Sequence, residues 1–314
     1  MKIVVLESDA MTPGGISFDV FHAFGEVTEY RVTHQDELVD RIRDADAIFL
    51  NKLIIDKDVI DACPNLKYIG LFATGYNTID VKYCGEHGVT VCNAGHYSTN
   101  AVAQHTIALI LNYYNRISDY HNAVQSGAWE KSELTTLYDF PTDEVFGKTI
   151  GIIGYGHIGR RVAELCRAFG MEVIVYTRTK KDDPAVRFVS FEELLSESDI
   201  ISLHCPLTEE NRRMMNEAAF KKCKKKPFLV NTARGGLIDE PALKFAVEKG
   251  LLSGAALDAI TVEPMRNCVL KGVENITITP HSAWAPVSTR QRLLDIVVEC
   301  FKAWQDGKPI NVVS

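Results

Sequence analysis

Residues 148–183 read KTIGIIGYGHIGRRVAELCRAFGMEVIVYTRTKKDD. An isoleucine-rich run leads into GYGHIG, the spacing GxGxxG over Gly154–Gly159. A segment with helical apolar spacing follows, and then a second apolar run, MEVIVY. Strand, glycine turn, helix and strand in that order make a βαβ unit, because parallel strands need a helical crossover. Three glycines in six positions arise easily by chance, so the pattern alone is weak; the flanking strand and helix give each glycine a task. Gly154 permits the tight turn, Gly156 lets backbone approach a pyrophosphate, and Gly159 lets the helix pack close to the strand. The N-terminus of the helix then presents its N–H groups to the phosphates. The stretch predicts a Rossmann unit that binds a dinucleotide.

Such a unit normally carries an acidic residue about 20 positions on, at the end of the second strand, to hold the adenosine ribose hydroxyls. Thr177 fills that position here, followed by Arg178, Thr179, Lys180 and Lys181. Asp182 and Asp183 stand further into the loop and would need an unusual path to the ribose. Hydroxyls and cations suit a 2′-phosphate better than a bare diol, so the expected cofactor is NADP or NAD, with a lean to NADP.

Before this unit the chain alternates short apolar runs with amphipathic segments. Strands are expected at 2–8, 26–32, 46–50, 66–74 and 89–94, with a helix over 33–45 that Thr33 can cap. One long helix is expected from about Ser98 to Gln125, and 127–147 reads as irregular. After it the β/α series runs to about 281 and ends in one amphipathic helix. The fold class is α/β: two doubly wound parallel-sheet domains, joined at the long helix.

With 314 residues, 46% hydrophobic and 24% charged, the chain has room for two full cores. A net charge of −7 argues against a nucleic-acid or anionic-membrane partner. The basic run KKCKKK (221–226) reads as a solvated helix C-terminus. The start, MKIVVLESDA, is too short in apolar residues for a signal peptide or membrane span. The 8 cysteines form no CxxC pair and no metal-like cluster, so reduced thiols, a cytoplasmic location and no metal are expected.

VNTARGGLIDE (230–240) raises a sharper question, because a permanently charged arginine follows four residues after a core valine. This segment, ALDAITVEP (256–264) and TPHSAW (279–284) all end strands on one edge of the second sheet. The carboxyl ends of strands line the ligand crevice in such sheets. Arg234, Asp258, Glu263 and His281 are thereby brought towards the cofactor. Hydride transfer to a 2-keto acid needs a cation for the carboxylate and carbonyl, which Arg234 can supply. It needs an acid to protonate the new alkoxide, His281, and an anion to orient that imidazole, Glu263.

In these motifs the sequence resembles the D-isomer-specific 2-hydroxyacid dehydrogenases over nearly its whole length. The matching segments are Gly154–Gly159, LHCPLTEENRRMMN (203–216), NTARGGLIDE, VEP (262–264) and TPHSAW. The resemblance implies a catalytic Arg234, Glu263 and His281. It implies cofactor contacts at His157, Ile158, Cys205, Pro206, Asn211, Thr232, Ala233 and Asp258, beside Arg234 and His281. NKLIID (51–56), FATGYNTID (72–80), VAQHTIALIL (102–111), DFP (139–141) and HSAWAP (281–286) look like the glycerate dehydrogenase branch. That branch implies NAD(P)H-dependent reduction of hydroxypyruvate and glyoxylate. Another acid of the family (D-lactate or 3-phosphoglycerate) and a corepressor-like NAD(H) sensor stay open as alternatives.

The resemblance further implies a flavodoxin-like substrate domain, 1–98 completed by 287–314, with the dinucleotide-binding domain 99–286 inserted and the active site in the cleft. In the substrate domain Thr74, Gly75 and Tyr76 would face the substrate carboxylate, with N–H groups from Gly75 and Tyr76. Asn51 and Lys52 would line the pocket, and Trp284 would pack beside His281. A homodimer through the dinucleotide-binding domains is implied, with 98–125 as the contact. Thr177 departs from the family, whose NAD-using members mostly carry aspartate there.

Overall fold

The computed structural model describes residues 1–179 and 182–314. Lys180 and Lys181, part of the basic loop read above, lie outside the described residues. The chain divides into two compact units, Met1–Ser98 with Trp284–Ser314, and Thr99–Ala283.

The strands of the first unit are β1 (Lys2–Val5), β2 (Glu26–Glu29), β3 (Ala47–Leu50), β4 (Tyr68–Leu71) and β5 (Thr90–Cys92). They lie in the order β2-β1-β3-β4-β5 with every pair parallel, the flavodoxin-like winding. Helices cover both faces of such a sheet, so its strands are apolar at successive positions. Ile3 and Val5 face a core shared with Leu293, Val297 and Phe301 of the helix Val287–Gln305. Val4 and Leu6 face the other, shared with Leu38, Ile42 and Leu66. The Phe301 ring centroid is 5.2 Å from that of Phe49 and 4.9 Å from that of Tyr68.

In the second unit β6 (Thr149–Ile153), β7 (Glu172–Tyr176), β8 (Arg187–Phe188), β9 (Ile200–Leu203), β10 (Phe228–Asn231), β11 (Gly254–Leu257) and β12 (Ile276–Ile278) form one parallel sheet. Its order is β12-β11-β10-β9-β6-β7-β8, the Rossmann winding with one strand added. The winding reverses between β6 and β9, and the loops leaving those two strands therefore flank the expected ligand crevice.

Two local expectations need correction. Thr33 caps no helix: its hydroxyl donates to the Leu6 carbonyl at 2.5 Å. The turn instead begins at His34, whose N–H donates to Glu37 at 2.9 Å, and the α-helix proper is only Leu38–Ile42. The single helix over 98–125 is two, Thr99–Asn115 and Ile117–Gln125. Arg116 breaks it in the left-handed region (φ 52°), its guanidinium pairing with Asp119 at 2.7 Å and donating to Asn275 at 3.3 Å. A local partner and a distant one hold a bend that neither glycine nor proline marks. The run KKCKKK follows a helix that ends at Lys221, and Lys221, Lys222 and Lys225 pair with Glu217, Glu192 and Asp199.

All eight cysteines are free thiols, six of them buried. Among the described residues no helix is long and apolar enough to cross a membrane, and no cluster of His, Cys, Asp or Glu is arranged for a metal ion.

Candidate active site

The glycine turn sits at the switch point. Gly154 has φ +96°, and a Cβ there would lie 2.6 Å from the Cys205 backbone nitrogen in the loop after β9. A Cβ on Gly159 would stand 2.1 Å from the Gly154 carbonyl oxygen, so the helix His157–Ala168 touches the turn with no room for a side chain. Gly156 differs, because among the described residues nothing beyond its chain neighbours lies within 4 Å of where its Cβ would be. It is the N-cap of that helix, with no side-chain cap. An open backbone cradle at an uncapped helix start fits the pyrophosphate of a dinucleotide.

At the end of β7, Thr177 is half-buried while Arg178 and Thr179 are exposed. Arg178 donates to Glu210 at 3.2 Å, a surface ion pair open to water. Asp183 turns back to the glycine turn, accepting from the Tyr155 hydroxyl at 2.8 Å. That hydrogen bond holds its carboxyl below the usual carboxylate range.

The loop after β9 is folded by Asn211. Its amide donates to the Pro206 carbonyl at 2.8 Å and lies 3.8 Å from the Cys205 sulfur, while its oxygen accepts from Thr208 N–H at 2.7 Å. Burial pushes the Cys205 thiol up to about 11, so it stays neutral.

The arginine loop is shaped from within the sheet. Asn231, fully buried at the end of β10, accepts from Ala233 N–H at 3.0 Å and donates to the Arg234 carbonyl at 2.9 Å. This turns Arg234 away from the core and answers the question posed by the buried valine. Arg234 is exposed, its guanidinium donating to the Ala233 carbonyl at 2.8 Å. No carboxylate among the described residues pairs with it.

The next two strands bring the acid and base groups. Glu263, after β11, accepts from Ile260 N–H at 3.2 Å with one oxygen, and the other lies 2.6 Å from His281 Nδ1. His281, after β12, has φ +53°. The carboxylate accepts the Nδ1 proton, so Nε2 is the nitrogen left to exchange one. Asp258, expected at the cofactor, is 2% exposed, and both its oxygens are bonded to the His281 loop. Thr279 donates to it at 2.6 Å, and the Ser282 and Ala283 N–H groups at 2.9 Å each.

In the first unit Asn51 and Lys52 donate their backbone N–H groups to one oxygen of Glu7, at 2.7 and 2.8 Å. The Asn51 amide donates to the Phe72 carbonyl at 2.6 Å. Thr74 donates to the Gly95 carbonyl at 2.5 Å, and the Tyr76 ring is exposed. Trp284, expected beside His281, packs its partly buried ring on the core of Phe18, Phe72 and Leu293. Glu7 and Asn231 were not singled out in the sequence. The signal available was their place: each is a polar residue at or just past the carboxyl end of a buried strand.

Residues 107–283 match the family model described as D-isomer specific 2-hydroxyacid dehydrogenase, NAD binding domain. The hydroxypyruvate reductase of Blautia hydrogenotrophica is 38% identical, over 100% of both chains. The glycerate dehydrogenase of Methylorubrum extorquens is 35% identical, over 100% of this chain and 99% of its own. The solved structure of an acyclic imino acid reductase in complex with NADPH and D-Arg superposes with a TM-score of 0.89 at 30% identity, covering 100% of both chains. The glycine turn, the three strand-end loops and this full-length similarity agree: the chain belongs to the D-isomer-specific 2-hydroxyacid dehydrogenases, and its second unit carries their NAD-binding domain.

Proposed function

We propose that the protein reduces hydroxypyruvate, and glyoxylate with it, to D-glycerate and glycolate, and catalyses the reverse reactions. The observation that carries the reading is the set on three adjacent strand ends: an exposed Arg234 with no carboxylate partner among the described residues, then Glu263, then His281 held by Glu263 at 2.6 Å. Arg234 holds the acid's carboxylate through its planar fork and polarises the carbonyl. His281 gives the Nε2 proton to the oxygen that becomes the hydroxyl, and Glu263 keeps the Nδ1 proton in place. The bound dinucleotide supplies the hydride. Its pyrophosphate would be held by Gly154, Gly156, His157, Ile158 and Gly159, and the remainder by Cys205, Pro206, Asn211, Thr232, Ala233 and Asp258. In the first unit we assign Asn51, Lys52, Thr74, Gly75, Tyr76 and Trp284 to the acid. The names of two full-length relatives, a hydroxypyruvate reductase and a glycerate dehydrogenase, support this choice of acid.

For the cofactor we propose NADPH at least as favoured as NADH. Thr177 offers no carboxylate to repel a 2′-phosphate, and Arg178 can leave its exposed partner Glu210 for one. NADPH in the solved imino acid reductase points the same way. One or two charge-assisted contacts give roughly ten- to a hundredfold discrimination, less what salt screens. Assays of hydroxypyruvate, glyoxylate, pyruvate and 3-phosphohydroxypyruvate with each cofactor test both points. The expected result is hydroxypyruvate first, with kcat/KM for NADPH no lower than for NADH and Thr177→Asp moving the ratio towards NADH. A preference for pyruvate, or a tenfold preference for NADH at low salt, would contradict the respective part.

The second unit also supports a homodimer. Leu134, Tyr138 and Phe146, in the irregular stretch 127–147, are 62%, 77% and 73% exposed, and Ile117 and Trp129 lie open nearby in sequence. Sedimentation at micromolar concentration is expected to report two chains per particle; a monomer would refute it.

A further inference from the structure

The long helix Thr99–Asn115 reaches two of the strand-end loops from consecutive residues. Thr106 spends its hydroxyl proton on the Val102 carbonyl at 2.9 Å, so the 3.0 Å contact with Thr232 must have Thr232 as donor. That contact ties the helix to the loop of Arg234. His105, one residue earlier, places Nε2 at 3.1 Å from the Thr279 hydroxyl oxygen and 3.5 Å from the Asp258 carboxylate. The Thr279 proton is likewise spent, on Asp258 at 2.6 Å, because an ionised carboxylate can only accept. His105 Nε2 must therefore carry a hydrogen and donate it to Thr279.

Asp258 in turn holds the Ser282 and Ala283 N–H groups, and the His281 N–H donates to the Thr279 carbonyl at 2.9 Å. His281 is thus bracketed on both sides by residues that this network fixes, and its own backbone is in the left-handed region. A ring held there only by Glu263 would be free to shift with its loop. We infer that His105 is a positioning residue for the reaction: from the long helix it fixes the His281 loop, through Thr279 and Asp258, against the Arg234 loop that Thr106 holds. This rests on the reading of His281 as the proton donor.

The test compares His105→Leu, His105→Asn and His105→Gln with the parent, in kcat and KM for hydroxypyruvate. The dissociation constant of the reduced cofactor is read from its fluorescence. Glutamine puts an amide N–H near the place of Nε2, asparagine falls short, and leucine has no donor. Leucine and asparagine are expected to lower kcat about tenfold or more, as loss of an oriented hydrogen bond would, with cofactor affinity within about twofold. Glutamine is expected to restore at least about half of kcat, which a role in bulk packing alone would not produce. If the leucine protein does not fold, the asparagine and glutamine pair decides alone. Parental kcat in His105→Leu, or glutamine as slow as asparagine, overturns the inference. His281→Gln run alongside separates the two failures: parental turnover there would remove the reading beneath it, while a slow His281→Gln beside a fast His105→Leu removes the inference only.

Discussion

Arg234→Lys is expected to lower kcat/KM for the keto acid about a hundredfold or more while leaving the fold and cofactor affinity nearly unchanged. Charge is kept in this substitution, so the loss isolates geometry. Arginine presents two parallel N–H donors to a carboxylate, and its plane is already oriented by the 2.8 Å bond to the Ala233 carbonyl. Lysine offers a point charge on a flexible stem that makes neither the paired bonds nor that anchor. Two good hydrogen bonds to a charged group are worth about 3 kcal/mol or more, and 1.4 kcal/mol is a factor of ten. Because Arg234 is exposed and pairs with no carboxylate among the described residues, no buried ion is orphaned and stability should hold. Steady-state kinetics with a thermal unfolding control read the result. Near-parental turnover in a folded variant would remove Arg234 from the site.

The second large effect concerns His281 and Glu263 as a unit. His281→Gln removes the proton donor and should lower kcat by about a hundred- to ten-thousandfold. Glu263→Gln should fall nearly as far for a different reason. Its remaining carbonyl oxygen can still accept from Ile260 N–H, which turns the new amide hydrogens towards Nδ1. An imidazole that gives up its Nε2 proton must keep one on Nδ1, and a donor facing Nδ1 forbids that. Residues acting on one proton are strongly non-additive, so the double variant should be little slower than the slower single one. Parental rates in Glu263→Gln, or a double variant whose losses multiply, would show the two acting apart.

The site was legible in the sequence where its parts are local in the chain. Gly154, Gly156 and Gly159 act within six residues, and the surrounding strand and helix are visible as periodicity. Arg234, Glu263 and His281 each follow a buried strand by a few residues, so strand order puts them on one edge. What escaped depends on partners far along the chain. His105 meets Thr279 across 174 positions, and Glu7 meets Asn51 across 44. Nothing near Thr33 reveals that its hydroxyl goes to Leu6 instead of a helix end, nor near Arg116 that its guanidinium meets Asn275, 159 positions on, at the break. Asp258 shows the same limit. A carboxylate at a strand end reads as a ligand for something bound, but its bonds to the loop after the neighbouring strand β12 span 21 to 25 positions and do not show in the sequence.

The helix Val287–Gln305 gives the first unit an unusual order of manufacture. Its five strands are complete at Cys92, yet on the face with Phe49, Tyr68 and Phe72 the early Phe18 and Phe21 give only part of the cover, and Phe301 comes from a segment translated only after the whole second unit. Roughly two hundred residues of synthesis separate the two, on the order of 10–40 s on a ribosome. During that interval the nascent chain carries an aromatic surface only partly covered, while the second unit, continuous in sequence, can close its own core. A ribosome stalled before residue 287 would therefore release a product with one unit folded and the other still adhesive, the kind of surface that chaperones hold.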